Sequence, residues 1–178
     1  PFLGRHISNV ADARARLLKP GGTLIGQRDD IRAAIVEAEE TYNEYLGSWE
    51  KYDFDMTAAR RIVTNTIGWT IRKDTSEILL AEPRLWATLD YSTISDPNVA
   101  GELSFDCSRN GTAHGMLVWF DTTTAEGVGF SNAPGAENPT RVYGRCFFPW
   151  TRPVELRKGD QVDARLDARL VGADYVYR

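Results

Sequence analysis

The side chains able to do chemistry are few. The histidines are His6 and His114, and the cysteines are Cys107 and Cys146. A Ser-His-Asp arrangement would have to recruit one of those two imidazoles as its base. His114 lies in the apolar run Ala113-His114-Gly115-Met116-Leu117-Val118-Trp119-Phe120. That context reads as a hydrogen-bonded strand histidine rather than a catalytic base. The cysteines are far apart and form no CxxC pair, so neither a structural zinc site nor a disulfide framework is expected. Sparse cysteine fits a reducing compartment, and a cytoplasmic location is expected. GxGxxG and P-loop patterns are absent, so no phosphate-cradling loop is expected. Trp86, Trp119 and Trp150 would serve as stacking platforms if the chain were a carbohydrate-binding sandwich.

The elements that would position these groups change character along the chain. Residues 8–18 read as a helix capped by Ser8, with Val10, Ala13, Leu17 and Leu18 near 3.6-residue spacing. Pro20 and Gly21-Gly22 stop it, and Thr23-Leu24-Ile25 reads as a short buried strand. Residues 31–37 are ambiguous. Ala33, Ala34 and Glu37 favour helix, whereas Ile31, Ala33 and Ile35 alternate as in a strand. Over 39–51, Tyr42, Tyr45, Leu46 and Trp49 fall at i, i+3, i+4 and i+7, one face of a helix. An aromatic turn, Tyr52-Asp53-Phe54-Asp55-Met56, follows, and Asp55 or Thr57 would cap a second helix to about residue 64.

After residue 80 the period becomes two. Leu85, Ala87, Leu89 and Tyr91 alternate with polar or bulky neighbours. So do Leu103, Phe105 and Cys107, and Val162, Ala164, Leu166, Ala168 and Leu170. These are half-buried strands with one wet face. Residues 113–120 are apolar on both faces and read as a central strand. Arg109-Asn110-Gly111 and Arg157-Lys158-Gly159-Asp160 mark turns. The expected class is mainly β: an antiparallel barrel or sandwich, an inserted helical arm at about 38–70, and a short N-terminal α/β remnant.

Leu17-Leu18-Lys19-Pro20-Gly21-Gly22-Thr23-Leu24-Ile25 resembles the loop where class I S-adenosylmethionine-dependent methyltransferases leave a helix and enter a late strand. Trp49-Glu50-Lys51-Tyr52-Asp53-Phe54-Asp55-Met56-Thr57 is similar to the aromatic stretch of the arm in protein arginine methyltransferases. In the same order, Asn110 to His114-Gly115 through Trp119-Phe120-Asp121 resembles a barrel strand of that family. Phe130-Ser131-Asn132-Ala133-Pro134 with Asn138-Pro139-Thr140 resembles a loop of it, and Val154-Glu155-Leu156-Arg157-Lys158-Gly159-Asp160 a turn. The resemblance spans essentially the whole chain.

It implies that residues 1–27 are the end of a methyltransferase domain. Residues 28–178 would then be a substrate-binding β-barrel carrying a dimerisation arm, and 31–37 its first strand. The implied homodimer interface is Tyr42, Tyr45, Leu46, Trp49, Tyr52, Phe54 and Met56; aromatics and Met are favoured at interface cores. The implied cofactor is S-adenosyl-L-methionine, bound upstream of this segment. The implied acceptor is a basic protein or peptide, or a small guanidino or amine compound. Where the family has Thr-His-Trp beside the active site, this sequence has Thr140-Arg141-Val142. Arginine keeps its charge and cannot accept a proton as histidine can, though it can hold a carboxylate. The family's cofactor loop and paired glutamates match nothing in these residues, so the segment alone is expected to be inactive and no catalytic residue is assigned. Pro1 in place of Met fits the back portion of a longer chain.

Composition sets the outer limits. The chain has 178 residues, 42 % hydrophobic and 26 % charged, which is globular. Lys plus Arg total 21 against 25 Asp plus Glu, giving a net charge of −4 and a pI near 5.3. That balance argues against non-specific binding to nucleic acid or an anionic membrane. Glu37, Glu39, Glu40, Glu44, Glu50, Asp53 and Asp55 would attract a basic substrate, or simply form a solvated face. A stand-alone β-barrel binding module is the alternative to the methyltransferase portion, since a fold does not fix a function.

Overall fold

The computed structural model describes residues 2–47, 53–64, 67–69, 78–137, 140 and 142–178. Apolar residues bury one side of strands such as β4 and both sides of β1 and β5, and two antiparallel sheets form around them. The larger sheet has the order β2-β7-β5-β1-β3, with β6 paired to β5. Its strands are β1 (Arg28–Val36), β2 (Gly68–Trp69), β3 (Arg84–Asp90), β5 (Gly111–Ala125), β6 (Val128–Ser131) and β7 (Cys146–Leu156). The smaller sheet has the order β4-β8-β9, from β4 (Val99–Asp106), β8 (Gln161–Val171) and β9 (Asp174–Tyr177). Among the described residues the ladders form these two sheets and not one closed barrel.

β1 settles the ambiguous 31–37 segment as strand. Its neighbours β3 and β5 pair along it on both edges, and those ladders outweigh the helix propensity of Ala33 and Ala34. Its alternation feeds two cores. Ile31, Ala33 and Ile35 join Leu89, Leu103, Phe105, Met116, Val118 and Leu166 between the sheets. Ala34 and Val36 face outward, where Tyr42, Leu46, Leu117, Trp119 and Phe147 pack with them. That second core is the apolar partner that an aromatic helix needs.

The helices are α1 (His6–Leu17), α2 (Glu39–Leu46) and α3 (Thr57–Thr64). α1 begins before Ser8, which lies inside it; Arg5 holds the cap position without a side-chain bond. Burial of Ile7 in the inter-sheet core explains the earlier start. α1 is also pinned by Arg14, whose guanidinium donates to the carbonyls of Tyr91 and Ile94 at 2.7 and 2.8 Å. After α1, the Gly22 N–H bonds the Lys19 carbonyl at 2.9 Å. Gly21 adopts φ +75° there, a left-handed conformation in which a side chain would be strained.

Residues 23–25 form no strand. Ile25 is 82 % exposed, and no partner strand lies beside it among the described residues. The phase of β3 also differs from simple alternation. Ile31 pairs with Ala87 and Arg32 with Leu85, so Trp86 is an extra residue in a bulge. The bulge turns Trp86 inward beside Leu89 and leaves Leu85 half exposed.

Candidate functional site

The loop between β6 and β7 is the place where sequence and structure converge. Ser131 ends β6, and its hydroxyl donates to the Asp121 carboxylate at 2.5 Å. Arg32 pairs with the same carboxylate at 2.7 Å. The Ala133 N–H donates to Ser131 Oγ at 2.9 Å, and the Thr140 N–H returns to the Ser131 carbonyl at 3.3 Å. Thr140 is thereby held next to the end of β6. Arg141 lies outside the described residues. Val142 stands 85 % exposed just beyond. Tyr143 stacks on Phe130, with centroids 5.8 Å apart and planes 5° from parallel, and meets Phe120 edge-on.

Beneath this rim is a cavity of about 250 Å³, lined by Phe2, Phe120, Val142, Tyr143, Cys146, Phe148 and Tyr177 among others. Its chemistry is apolar. Burial pushes the Cys146 thiol up to about 11, so it stays protonated at neutral pH and is a poor nucleophile. Burial also raises Cys107 and lowers His6 from their ordinary values. Among the described residues no three of His, Cys, Asp or Glu gather to hold a metal ion.

His114 is buried as a structural strand residue. Its Nδ1 accepts the Ala38 N–H at 3.2 Å, and Tyr42 meets the ring edge-on. Trp86 and Trp119 cannot be stacking platforms. They are 8 % and 3 % exposed, and the Trp86 indole N–H donates to the Leu166 carbonyl at 3.0 Å.

The residues expected at an interface divide. Tyr42 and Leu46 are sealed against this chain's own sheet. Tyr45 packs partly on Phe147. Met56 is half buried and Phe54 is 68 % exposed. Trp49 and Tyr52 lie outside the described residues. Within the acidic cluster, Glu37 is engaged internally by Arg109 and by the Thr112 N–H, and Asp55 accepts the Thr57 N–H at the start of α3. Apart from His114, sequence reasoning missed the polar interior. Asp29 accepts the Tyr91 and Thr122 hydroxyls at 2.6 Å each, and Asn132 is 1 % exposed.

Residues 27–169 match the family model described as the arginine methyltransferase oligomerization subdomain. The chain belongs to the arginine methyltransferase family. Protein arginine N-methyltransferase 2 of Mus musculus is 27 % identical over 88 % of this chain and 37 % of its own length. Protein arginine N-methyltransferase 6 of Danio rerio is 29 % identical over 96 % of this chain and 50 % of its own. The chain therefore spans half or less of these relatives. Among solved structures, the Trypanosoma brucei PRMT1 enzyme–prozyme heterotetrameric complex with AdoHcy superposes with a TM-score of 0.82 at 16 % identity. It covers 98 % of this chain and 58 % of that one, a likeness of fold. The mainly β, antiparallel class read from the sequence is that of these family members. No helix among the described residues is long and apolar enough to cross a membrane.

Proposed function

We propose that this chain is the C-terminal portion of an S-adenosylmethionine-dependent enzyme that methylates a guanidinium nitrogen. In this reading the β-unit forms one wall of the acceptor groove and the α2–α3 arm carries dimerisation. The observation that supports it best is the match of residues 27–169 to an oligomerisation subdomain of arginine methyltransferases. α2 and α3 form the arm, lying in the chain between β1 and β2, and β2 pairs with β7. Tyr42 and Leu46 would root the arm in its own chain, leaving Trp49, Tyr52, Phe54 and Met56 to meet the partner.

In this reading the methyl donor is bound by another part of the parent protein. Between β1 and α2, Glu37-Ala38 offers no glycine to admit a nucleotide backbone. What this segment supplies is positioning. Methyl transfer requires the acceptor in line with the methyl carbon, and a fixed wall contributes orientation. Glu39, Glu40 and Glu44 on the exposed side of α2 would raise the encounter rate of a basic acceptor. Arg141, which stands where the family has histidine, would hold a carboxylate without acting as a base.

A stand-alone binding module is the second reading. It is favoured by the packing of Ile7 and Phe2 into the same core as the sheets. The full-length parent decides between them. Labelled S-adenosylmethionine should methylate an arginine-rich peptide or free arginine. Transfer to neither would leave the binding module. Trp49→Ala with Phe54→Ala should convert dimers to monomers in sedimentation; unchanged dimers would remove the arm from the interface.

A further inference from the structure

The loop at residues 133–144 is closed by two buried polar side chains that grip each other's ends. Asn132, at its start, is 1 % exposed. Its Oδ1 accepts the Phe120 N–H at 2.9 Å, and its Nδ2 donates to the Gly144 carbonyl at 2.7 Å. Arg145, at its end, is 7 % exposed. Its Nε donates to the Asn132 carbonyl at 2.5 Å, and a terminal nitrogen donates to the Ala133 carbonyl at 3.1 Å. Each residue thus holds the backbone at the opposite end of the loop, and Asn132 also fixes the pair to β5.

Such an arrangement is costly to build. A buried guanidinium and a buried amide each need their hydrogen bonds, and removing one strands its partners in the interior. Here the loop carries Thr140 and Arg141, and its Tyr143 flank is pinned on Phe130.

We propose that Asn132 and Arg145 are positioning residues that set the place of Thr140 against the methyl acceptor. The inference rests on the proposed reading that this loop borders the acceptor groove. Neither residue touches the acceptor; both act through the loop. Asn132→Ala removes the bonds to Phe120 and Gly144. Arg145→Lys keeps the charge but loses the planar fork that spans two carbonyls. Arg145→Met removes both.

The test uses the full-length parent, with an arginine-rich peptide and free arginine as acceptors. Amide hydrogen exchange over 133–144 should quicken in Asn132→Ala and Arg145→Met, and less in Arg145→Lys, while the β1 and β5 amides stay protected. For methyl transfer, kcat/KM for the acceptor should fall about 10- to 100-fold, the scale expected when a reacting group is displaced by about an ångström. KM for S-adenosylmethionine should hold, and Arg145→Lys should recover part of the loss. Unchanged exchange over 133–144 would overturn the clamp. Faster exchange with an unchanged acceptor kcat/KM would overturn its positioning role. Faster exchange in a parent whose wild type transfers no methyl group would leave the clamp standing. It would overturn both the positioning role and the proposed function.

Discussion

The Tyr91 hydroxyl donates to the Asp29 carboxylate at 2.6 Å, inside the β-unit, where Asp29 is 6 % exposed. Thr122 donates to the other carboxylate oxygen from β5, so one anion ties the end of β3 to two neighbouring strands. The Tyr91 carbonyl meanwhile receives Arg14 of α1. Burial, and then the bond to Asp29, push the phenol far above its ordinary range, so Tyr91 remains a donor at any physiological pH. Tyr91→Phe should therefore cost about 2 kcal/mol in urea unfolding, because the carboxylate stays buried with a partner missing. Asp29→Asn in the same chain should be markedly non-additive with it. Additive losses would mean that the two groups act independently.

Gly115 has no room for a methyl group. A Cβ placed there would lie 2.3 Å from the Phe148 carbonyl oxygen and 2.7 Å from the Phe147 ring. The β5–β7 register shifts between Ala113 and Gly115, and the close approach follows from that bulge. Gly115→Ala should lower stability by roughly 1–3 kcal/mol, or force β5 and β7 apart. A denaturation midpoint equal to wild type would show that the strands separate without cost.

These two sites also show which parts of the molecule were legible in the sequence. Leu103, Phe105 and Cys107 face the core as their alternation implies, because β4 keeps its pleat unbroken against β8. Trp86 does not follow the pattern of β3, because one extra residue inverts every face beyond it. The same physics hides the irregularity at Gly115: a period-two reading has no term for inserted residues. The candidate site was legible as an aromatic, proline-bearing loop around Phe130 and Thr140. Its supports were not. Asn132 and Arg145 look like ordinary loop residues, and Asp29 like a surface charge. Their partners lie 12 or more residues away along the chain, so no local spacing marks them.

Glu37 links the end of β1 to the turn before β5, and its acid response should show it. The Thr112 N–H, and then the Arg109 guanidinium, hold its carboxyl below the ordinary range. Its ionised form therefore favours the folded state. That contribution is fully present above the unfolded value of about 4.3 and disappears as pH falls through the lower folded value. The side chain is 37 % exposed, so the effect should stay below about 1 kcal/mol. Stability measured from pH 7 to pH 3 should fall less steeply below pH 4.5 in Glu37→Gln than in wild type. Parallel acid limbs would show that Glu37 gains nothing from its partners.

His114 separates a structural from a catalytic histidine. Its Nδ1 accepts the Ala38 N–H immediately before α2, and Tyr42 of α2 packs on its ring. Losing the acceptor leaves a buried N–H unpaired where the arm leaves the sheet. His114→Leu should therefore cost about 1–3 kcal/mol and quicken hydrogen exchange in α2. His114→Asn should recover much of the loss, because its Oδ1 can occupy the place of Nδ1. Asparagine cannot titrate near neutral pH. Any methyl transfer by the full-length His114→Asn parent should thus keep the wild-type pH profile. A pH limb that vanishes in that variant would make His114 a proton carrier and not a bolt for the arm.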